Sequence, residues 1–227
     1  MKRKYKLTDE TINVMGRTIY RIEALRDFNG VKKGDKGGFI ENEDNLSHDG
    51  NCWVYGNAIV YNNAKVSSNA KVYGNAKIFC CAEIYDDAIV HGYTKVYGNA
   101  KVFEDAKVCG NAKVYGNVKV YGDAEVFGHA NVYNNANVYD YAKVYGKAEV
   151  CGDATITSNS GYIIFKNWWS SGRYFTWTRS NDKWKVGCFY GTGKELIEKA
   201  YKDSELSGRE YKRVVDYVES MLKEIKS

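Results

Sequence analysis

Hydrophobic positions recur along residues 54–161 with a fixed period of six, in eighteen consecutive hexads close to Val-Tyr-Gly-Asn-Ala-Lys. The first hexad position is Val fifteen times and Ile three times, and the fifth position is Ala fifteen times. The second position is mostly aromatic, and the third and fourth are mostly Gly, Asn or Asp. A short fixed period of this kind indicates a solenoid, in which each unit packs only on its neighbours.

Residues 112–115 illustrate how one hexad is built. As a strand, they place Ala112 and Val114 on one side and Lys113 and Tyr115 on the other, because successive side chains alternate. The following Gly and Asn tolerate the positive φ of a tight corner. Equal strands joined by equal corners predict three-sided coils, so the eighteen hexads give about six coils with Val and Ala on the axis.

The chain before the hexads predicts an end cap, because the first coil would otherwise expose unpaired backbone groups. We expect an N-terminal cap at residues 1–50 and the hexad solenoid at residues 51–161. Within the cap, residues 18–25 are expected to form a strand, and the Lys/Gly-rich residues 31–38 a turn. The first coil is expected to begin near Phe39.

Residues 162–227 lack the period and predict a small α+β module, which begins with a β-meander. Strands are expected at residues 162–169, 173–179 and 183–190, and residues 170–172 form the first turn between them.

Two helices are expected to follow the meander. Thr192 with Glu195, and Ser207 with Glu210, have the S/T-x-x-E spacing of a capping box at a helix start. The second helix carries an apolar stripe that must be covered by the meander, the last coil or a second subunit. The stripe consists of Tyr211, Val214, Val215, Val218, Met221, Leu222 and Ile225.

The hexads, with their aliphatic first and small fifth positions, resemble the hexapeptide-repeat superfamily. That resemblance covers 108 of 227 residues and implies a left-handed parallel β-helix. The flanks RTIYRIEALRDF and KKGDKGGFIENEDNLS are similar to bacterial and phage hexapeptide-repeat proteins that are labelled transferases. The superfamily includes trimeric acyltransferases, carbonic anhydrase-like proteins and non-enzymatic assemblies, so the resemblance leaves the function open.

The net charge of +5 is concentrated in the C-terminal module. Residues 54–161 carry ten basic and ten acidic side chains, whereas residues 162–227 carry thirteen and nine. An anionic partner is therefore expected at the module, although so modest a charge also serves ordinary solubility. No apolar run is long enough to cross a membrane, and the MKRKYK start lacks the apolar segment of a signal peptide. We expect a cytoplasmic protein of a bacterium or phage-infected host, with no membrane and no double-stranded nucleic acid as partners.

The six cysteines are expected to be free thiols, because no CxxC pair or Cys/His ligand spacing occurs. Cys52 falls on a buried fifth position, the pair at 80–81 forms a corner, and Cys109 and Cys151 project outwards. No metal and no cofactor are predicted. The carboxylate pairs at residues 86–87 and 104–105 also fall on corners, where we expect them to be solvated.

No catalytic residue is predicted, and His91 and His129 are the only two candidates for a general base. Hexapeptide acyltransferases use a His in this role, often beside a loop extruded from the coil. The hexads between Val54 and Gly161 contain no insertion, so this loop is missing. Acyl transfer from a CoA or carrier-protein donor is the alternative hypothesis.

Aromatic and basic residues alternate in the meander and suggest a surface for stacked bases and phosphates. As a strand, Arg173, Phe175, Trp177 and Arg179 share one face. The opposing interpretation is that the rings pack the module against its own helices. The candidate ligand-binding residues are Lys166, Trp168, Trp169, Arg173, Trp177, Arg179, Lys183 and Lys185.

Ladders of stacked side chains are expected on the outer faces, where every third hexad lies above the last. One face stacks Lys77, Lys95 and Lys113 beside aromatic residues, and another stacks Lys101 and Lys119. Such ladders suit a lateral subunit interface, so we expect a homo-oligomer, either a trimer or a dimer. The favoured function is a non-catalytic oligomeric solenoid that binds an anionic, nucleotide-like ligand or a partner protein. A phage counter-defence protein that sequesters a signalling nucleotide or blocks a host protein would fit.

Overall fold

The predicted parallel β-solenoid is present in a computed structural model, which describes residues 3–169 and 171–226. The Val or Ile at the first hexad position is at most 1% exposed in all eighteen hexads. The fifth position is equally buried except at Ser160, where the last coil ends. Among the described hexads, Thr94 is the one polar residue at a buried fifth position. The axis is therefore almost entirely aliphatic, as the hexad pattern predicts.

The described chain forms short strands throughout the solenoid and two helices at its C-terminal end. The N-terminal strands are β1 (Tyr5–Val14), β2 (Arg17–Ala24) and β3 (Lys36–Ile40). The solenoid strands are β4 (Trp53–Val54), β5 (Ile59–Val60), β6 (Lys65–Val66), β7 (Lys71–Val72), β8 (Lys77–Ile78), β9 (Glu83–Ile84), β10 (Ile89–Val90), β11 (Lys95–Gly98), β12 (Lys101–Val102), β13 (Lys107–Val108), β14 (Lys113–Gly116), β15 (Lys119–Val120), β16 (Glu125–Val126), β17 (Asn131–Val132), β18 (Asn137–Val138), β19 (Lys143–Val144), β20 (Glu149–Val150) and β21 (Thr155–Ile156). The C-terminal module contains β22 (Tyr162–Lys166), β23 (Tyr174–Thr178), β24 (Lys183–Val186), β25 (Phe189–Gly191), α1 (Gly193–Asp203) and α2 (Glu205–Lys226).

Every third solenoid strand pairs in parallel, which builds a prism with three flat walls. Wall A contains β3, β5, β8, β11, β14, β17 and β20; wall B contains β4, β7, β10, β13, β16 and β19; wall C contains β6, β9, β12, β15, β18 and β21. An isolated bridge between Leu46 and Val66 extends wall C by one coil. The solenoid has about seven coils rather than six, because residues 39–54 form a first coil without the hexad pattern.

The N-terminal end of the prism is closed by β1 and β2, which extend wall A in antiparallel pairing. Strand β1 is not predicted from the sequence, because the segment YKLTDETINV is largely polar and lacks a clear alternation. Donor side chains of the cap cover carbonyl groups of the first coil. Lys4 Nζ donates to Cys52 O at 2.9 Å, and the Tyr5 hydroxyl donates to Leu46 O at 2.7 Å.

The C-terminal module closes the opposite end of the prism. Amides of the last coil have no further coil to bond, and side-chain oxygens of the module accept from them. Glu149 N donates to Thr176 Oγ1 at 2.9 Å. Thr155 N donates to Ser180 Oγ at 2.8 Å. The module is thus a cap fitted to the coil end, which fixes its strands against wall A.

The module consists of an antiparallel sheet in the order β22-β23-β24-β25 with both helices packed on one face. Its core is formed by Phe175, Trp177, Trp184, Val186, Leu196, Val215 and Val218. The apolar stripe of α2 is covered by this sheet, which settles one of the three alternatives raised by the sequence. Neither described helix combines the length and the apolarity needed to cross a membrane.

Two sequence expectations for the module need correction. The predicted strand at residues 183–190 is two strands, because Gly187 adopts a left-handed φ of 55° and turns the chain. The capping box at Thr192 is confirmed, whereas α2 begins at Glu205, before the predicted start, and Ser204 Oγ accepts from Ser207 N. Ser170 and the side chain of Ile225 lie outside the described residues.

Aromatic side chains at the second hexad position stack in continuous ladders on walls A and C. The ring centroids of successive coils are 4.7 to 5.2 Å apart. Each ring shields its neighbours from water, and this burial raises the pKa of the Tyr97, Tyr115 and Tyr121 hydroxyls.

The tyrosine ladders predict a loss of stability in alkaline solution. Their folded pKa values lie above the value of about 10 that applies to the unfolded chain. Their contribution is therefore complete below about pH 10 and is lost as the pH rises through the folded values. We expect the Tm, followed by circular dichroism, to fall above about pH 10. In Tyr115→Phe, which keeps the ring, this fall in Tm should be smaller. An equal fall in Tm with pH for both proteins would contradict the explanation.

Candidate functional site

The three edges of the prism carry different side chains, although the hexads as a whole are neutral. The basic edge is the corner between walls B and A together with the adjoining column of wall A. It is formed by Asn75, Lys77, Tyr93, Lys95, Asn111, Lys113, His129, Asn131, Lys147 and Glu149. The acidic edge is the corner between walls C and B, formed by Asp86, Asp87, Glu104, Asp105, Asp123 and Asp140. The third corner is mainly Asn and Gly.

The columns arise because residues eighteen positions apart occupy the same place in successive coils. Lys95 pairs in register with Lys77 on one side and with Lys113 on the other. Asn131 and Glu149 continue the same column towards the module. A repeat of three hexads therefore converts a regular sequence into long columns of one residue type.

Two adjoining grooves follow the basic edge. One has a volume of about 510 Å³ and the other of about 520 Å³, and they share Asn111, Lys113 and His129. The second lies where the solenoid meets the module, and we call it the junction groove. It is lined by Asn111, Lys113, His129, Asn131, Lys147, Glu149, Arg173, Tyr174 and Gly187.

The junction groove has an excess of positive charge. Lys113, Lys147 and Arg173 face it, and none of the three forms an ion pair with another described residue. Its one carboxylate, Glu149, is partly neutralised by Lys185, whose Nζ lies 3.8 Å from Glu149 Oε2. Such a groove favours an anion, because its cations are not satisfied within the chain.

The aromatic wall of the junction groove is Tyr174. Lys147 Nζ lies 5.0 Å from the centre of the Tyr174 ring, which keeps the ammonium group beside the groove. Arg173 precedes β23 and is exposed. Its side chain lies against Gly187, where a Cβ would stand 3.6 Å from the Arg173 Cδ and Nη1 atoms.

The predicted ligand-binding residues of the module separate into three groups. Arg173 lies in the junction groove, and Lys185 reaches it through Glu149. Lys166, Trp168, Arg179 and Lys183 lie outside the groove, and Trp168 is 82% exposed. Trp169 and Trp177 pack in the module core.

The expectation of an exposed face through Arg173, Phe175, Trp177 and Arg179 is therefore corrected. Trp177 is 2% exposed, and its Nε1 donates to Asp182 Oδ1 at 2.8 Å. Phe175 is fully buried against the helices. Alternation places these rings on one face, but that face is the one covered by α1 and α2. A buried Trp177 does not present its ring to a ligand.

The two candidate histidines occupy different surroundings. His91 stacks on Tyr73 of wall B with centroids 4.6 Å apart, and burial lowers its pKa. His129 is exposed in the junction groove. Within the described part of the chain, no side chain forms a hydrogen bond with either imidazole, so no residue orients them as general bases.

One further sequence expectation, for Cys151, needs correction. Cys151 was expected to face outwards but is 2% exposed, because the module covers it and the Tyr190 hydroxyl donates to its carbonyl oxygen. The helix start after Gly191 is occupied by Glu195, whose carboxylate accepts from Thr192 N at 2.7 Å. Among residues 3–169 and 171–226, no group of three His, Cys, Asp or Glu side chains is arranged to hold a metal ion.

The fold and the junction groove define the class of protein as a capped β-solenoid with a cationic surface groove. The chain matches no family model, and a search of the curated proteins finds no match. Membership of the hexapeptide-repeat superfamily therefore stays a prediction from the residues of the hexads.

Proposed function

We propose that this protein is a non-catalytic binding protein that holds an anionic, nucleotide-like ligand in the junction groove. The observation that carries the proposal is the meeting of Lys113, Lys147 and Arg173 around one groove whose single carboxylate faces Lys185. The volume of about 520 Å³ suits a small-molecule ligand of nucleotide size.

Each side of the groove offers a different kind of contact. Arg173 and Lys147 suit phosphate oxygens, because charge-assisted hydrogen bonds are the strong ones. The amides of Asn111 and Asn131 offer donors and acceptors for the edge of a base. The ring of Tyr174 offers an aromatic surface beside them.

Sequestration of a signalling nucleotide in the cytosol of a bacterial or phage-infected cell is the role that this chemistry would serve. In that role the protein needs a high affinity for the nucleotide and no turnover. This agrees with the His91 and His129 imidazoles, to which no described carboxylate is hydrogen bonded. Binding of a partner protein and acyl transfer with His91 or His129 as base stay predictions.

The groove predicts that phosphate groups, rather than the nucleoside, supply most of the affinity. We expect isothermal titration calorimetry to detect binding of ATP and of inorganic triphosphate, and none of adenosine. The double variant Lys147→Ala with Arg173→Ala should bind ATP about tenfold or more weakly, since a hydrogen bond to a charged group contributes on the order of 1.5 to 3 kcal/mol.

The matched control is Lys119→Ala with Arg179→Ala, which removes one Lys and one Arg from exposed positions outside the groove. Its affinity for ATP should equal that of the unmodified protein. An equal loss of ATP affinity in both double variants would mean that the net charge of the protein, not the groove, governs binding. Absence of triphosphate binding to the unmodified protein at low salt would refute the proposal.

A further inference from the structure

Three lysines of wall A form a row that the rest of the described chain does not neutralise. Lys77, Lys95 and Lys113 stand in register on successive coils, and we call them the lysine column. None of the three forms an ion pair with another described residue. Like charges one coil apart, about 4.8 Å, repel each other. A row of anions along the lysine column would relieve this repulsion.

The equivalent columns of walls B and C are built differently. On wall C, Lys101 pairs in register with Glu83, and their charged groups lie 2.8 Å apart. On wall B, Glu125 stands between Lys107 and Lys143 and forms an ion pair with Lys143 at 3.6 Å. The repeat therefore does not require unpaired lysines at its sixth position, and three successive lysines occur on wall A alone.

A second column, at the fourth hexad position, runs beside the lysine column, and we call it the corner column. Tyr93 is 66% exposed, so its ring is accessible to a base. The amides of Asn75 and Asn111 offer donors and acceptors for base edges. None of the described residues that line the groove beside Lys77 and Lys95 is acidic. The corner column consists of Asn75, Tyr93, Asn111, His129 and Lys147.

The two grooves of the basic edge form one path. They share Asn111, Lys113 and His129, so a ligand can extend from one groove into the other. Between Asn75 and Lys147 the path crosses four coil steps, about 19 Å. This path is longer than the phosphates of one nucleotide. It fits a strand of about four nucleotides, the lower end for single-stranded sites.

We propose that a short single-stranded nucleic acid lies along the basic edge, with its phosphates on the lysine column and its bases on the corner column. A groove of cations beside aromatic side chains is the combination that binds single strands. The inference rests on the proposed function, because the nucleotide at one end of the strand occupies the junction groove. A mononucleotide therefore fills only one end of the site, and the lysine column meets the phosphates that follow.

The dependence of affinity on strand length tests the proposal. Isothermal titration calorimetry at low salt should show that an oligothymidylate of four nucleotides binds at least about tenfold more tightly than thymidine monophosphate. The longer strand reaches Lys95 and Lys77, which the monophosphate in the junction groove does not. A strand of eight nucleotides should bind little more tightly than one of four, because the path ends beside Lys77.

The double variant Lys77→Ala with Lys95→Ala should lose this gain in affinity with length. The slope of log affinity against log salt for the four-nucleotide strand should become shallower by about 1.4, since each phosphate contact of a single strand contributes about 0.7. The matched control is Lys71→Ala with Lys107→Ala, which removes the same charge from the same hexad position on wall B. The control should keep the gain, and the affinity for ATP should be equal in both double variants.

The exposed ring of Tyr93 tests whether bases take part. Tyr93→Ala should weaken binding of the four-nucleotide strand about fivefold or more, since stacking on an aromatic side chain contributes about 1 to 3 kcal/mol per base. Binding of inorganic polyphosphate should not change in this variant. Polyphosphate of equal charge that binds as tightly as the strand, with no effect of Tyr93→Ala on either ligand, would overturn the proposal.

The same titrations separate this inference from the proposed function. If ATP and inorganic triphosphate bind but affinity does not rise with strand length, the extended site is refuted and the junction groove stands. An equal loss of strand affinity in the wall A and wall B double variants would also refute the extended site. If neither triphosphate nor any strand binds at low salt, both proposals fail.

Discussion

Replacing Val120 with Asp is expected to prevent the solenoid from folding. Val120 has no exposed surface and lies between Val102 and Val138 of the neighbouring coils. An Asp at this position would bring a carboxylate into an aliphatic axis that has no partner for it. The cost should exceed about 4 kcal/mol, a large part of the stability of an ordinary domain.

The neighbouring Lys119 provides the matched control, because it precedes Val120 in the same strand and faces the solvent. Lys119→Asp should change the Tm by only a few degrees. Circular dichroism of both variants during heating makes the comparison. If Val120→Asp unfolded cooperatively at a temperature near the Tm of the unmodified protein, the first hexad position would not face the axis.

The second large effect is expected at Lys4, which is fully buried beneath the N-terminal cap. Its ammonium group donates to the carbonyl oxygens of Asp49, Gly50 and Cys52 and contacts the Cys52 thiol at 3.2 Å. Burial lowers the pKa of Lys4, and these acceptors compensate for part of the lost hydration. Lys4→Ala would leave the buried Cys52 carbonyl group without this donor, whereas Asp49 and Gly50 are exposed to water.

We expect Lys4→Ala to lower the free energy of unfolding by about 3 kcal/mol, since each unsatisfied buried group costs on the order of 1 to 3 kcal/mol. Urea denaturation followed by tryptophan fluorescence measures the change, because Trp53 packs on Phe28, over whose ring the Lys4 ammonium group lies. The control is Lys6→Ala, whose exposed ammonium group pairs with Glu23 on the surface. Equal free energies of unfolding for Lys4→Ala and Lys6→Ala would contradict the stabilising role of Lys4.

The period of six was sufficient to predict the solenoid, because it determines which side chains face the axis. Val114 and Ala112 lie inside and Lys113 and Tyr115 outside, as alternation requires. The start of the first coil near Phe39 was also predicted and is confirmed, although Phe39 and Leu46 belong to segments without a repeat. Their place in the coil depends on pairing with Ile59 and Val66.

The junction groove could be predicted only in part. The Lys column at residues 77, 95 and 113 is visible when every third hexad is aligned, and the acidic column can be found in the same way. Asp86 and Asp87 are neighbours in the sequence. In the fold, however, Asp87 lies in one column with Asp105 of the next coil.

The position of Arg173 could not be deduced, because it precedes β23 and no alternation governs it. Alternation correctly predicted that Trp177 and Phe175 share one face of the sheet. It could not reveal that the helices cover that face.

A crystal structure of the protein with ATP would test the central claim most directly, because it locates the anion on one of the three edges. We expect the phosphate groups in the junction groove, in contact with Arg173 and Lys147. Phosphates bound on another edge or on the exposed Trp168 surface, or a groove left empty at saturating ATP, would contradict the account.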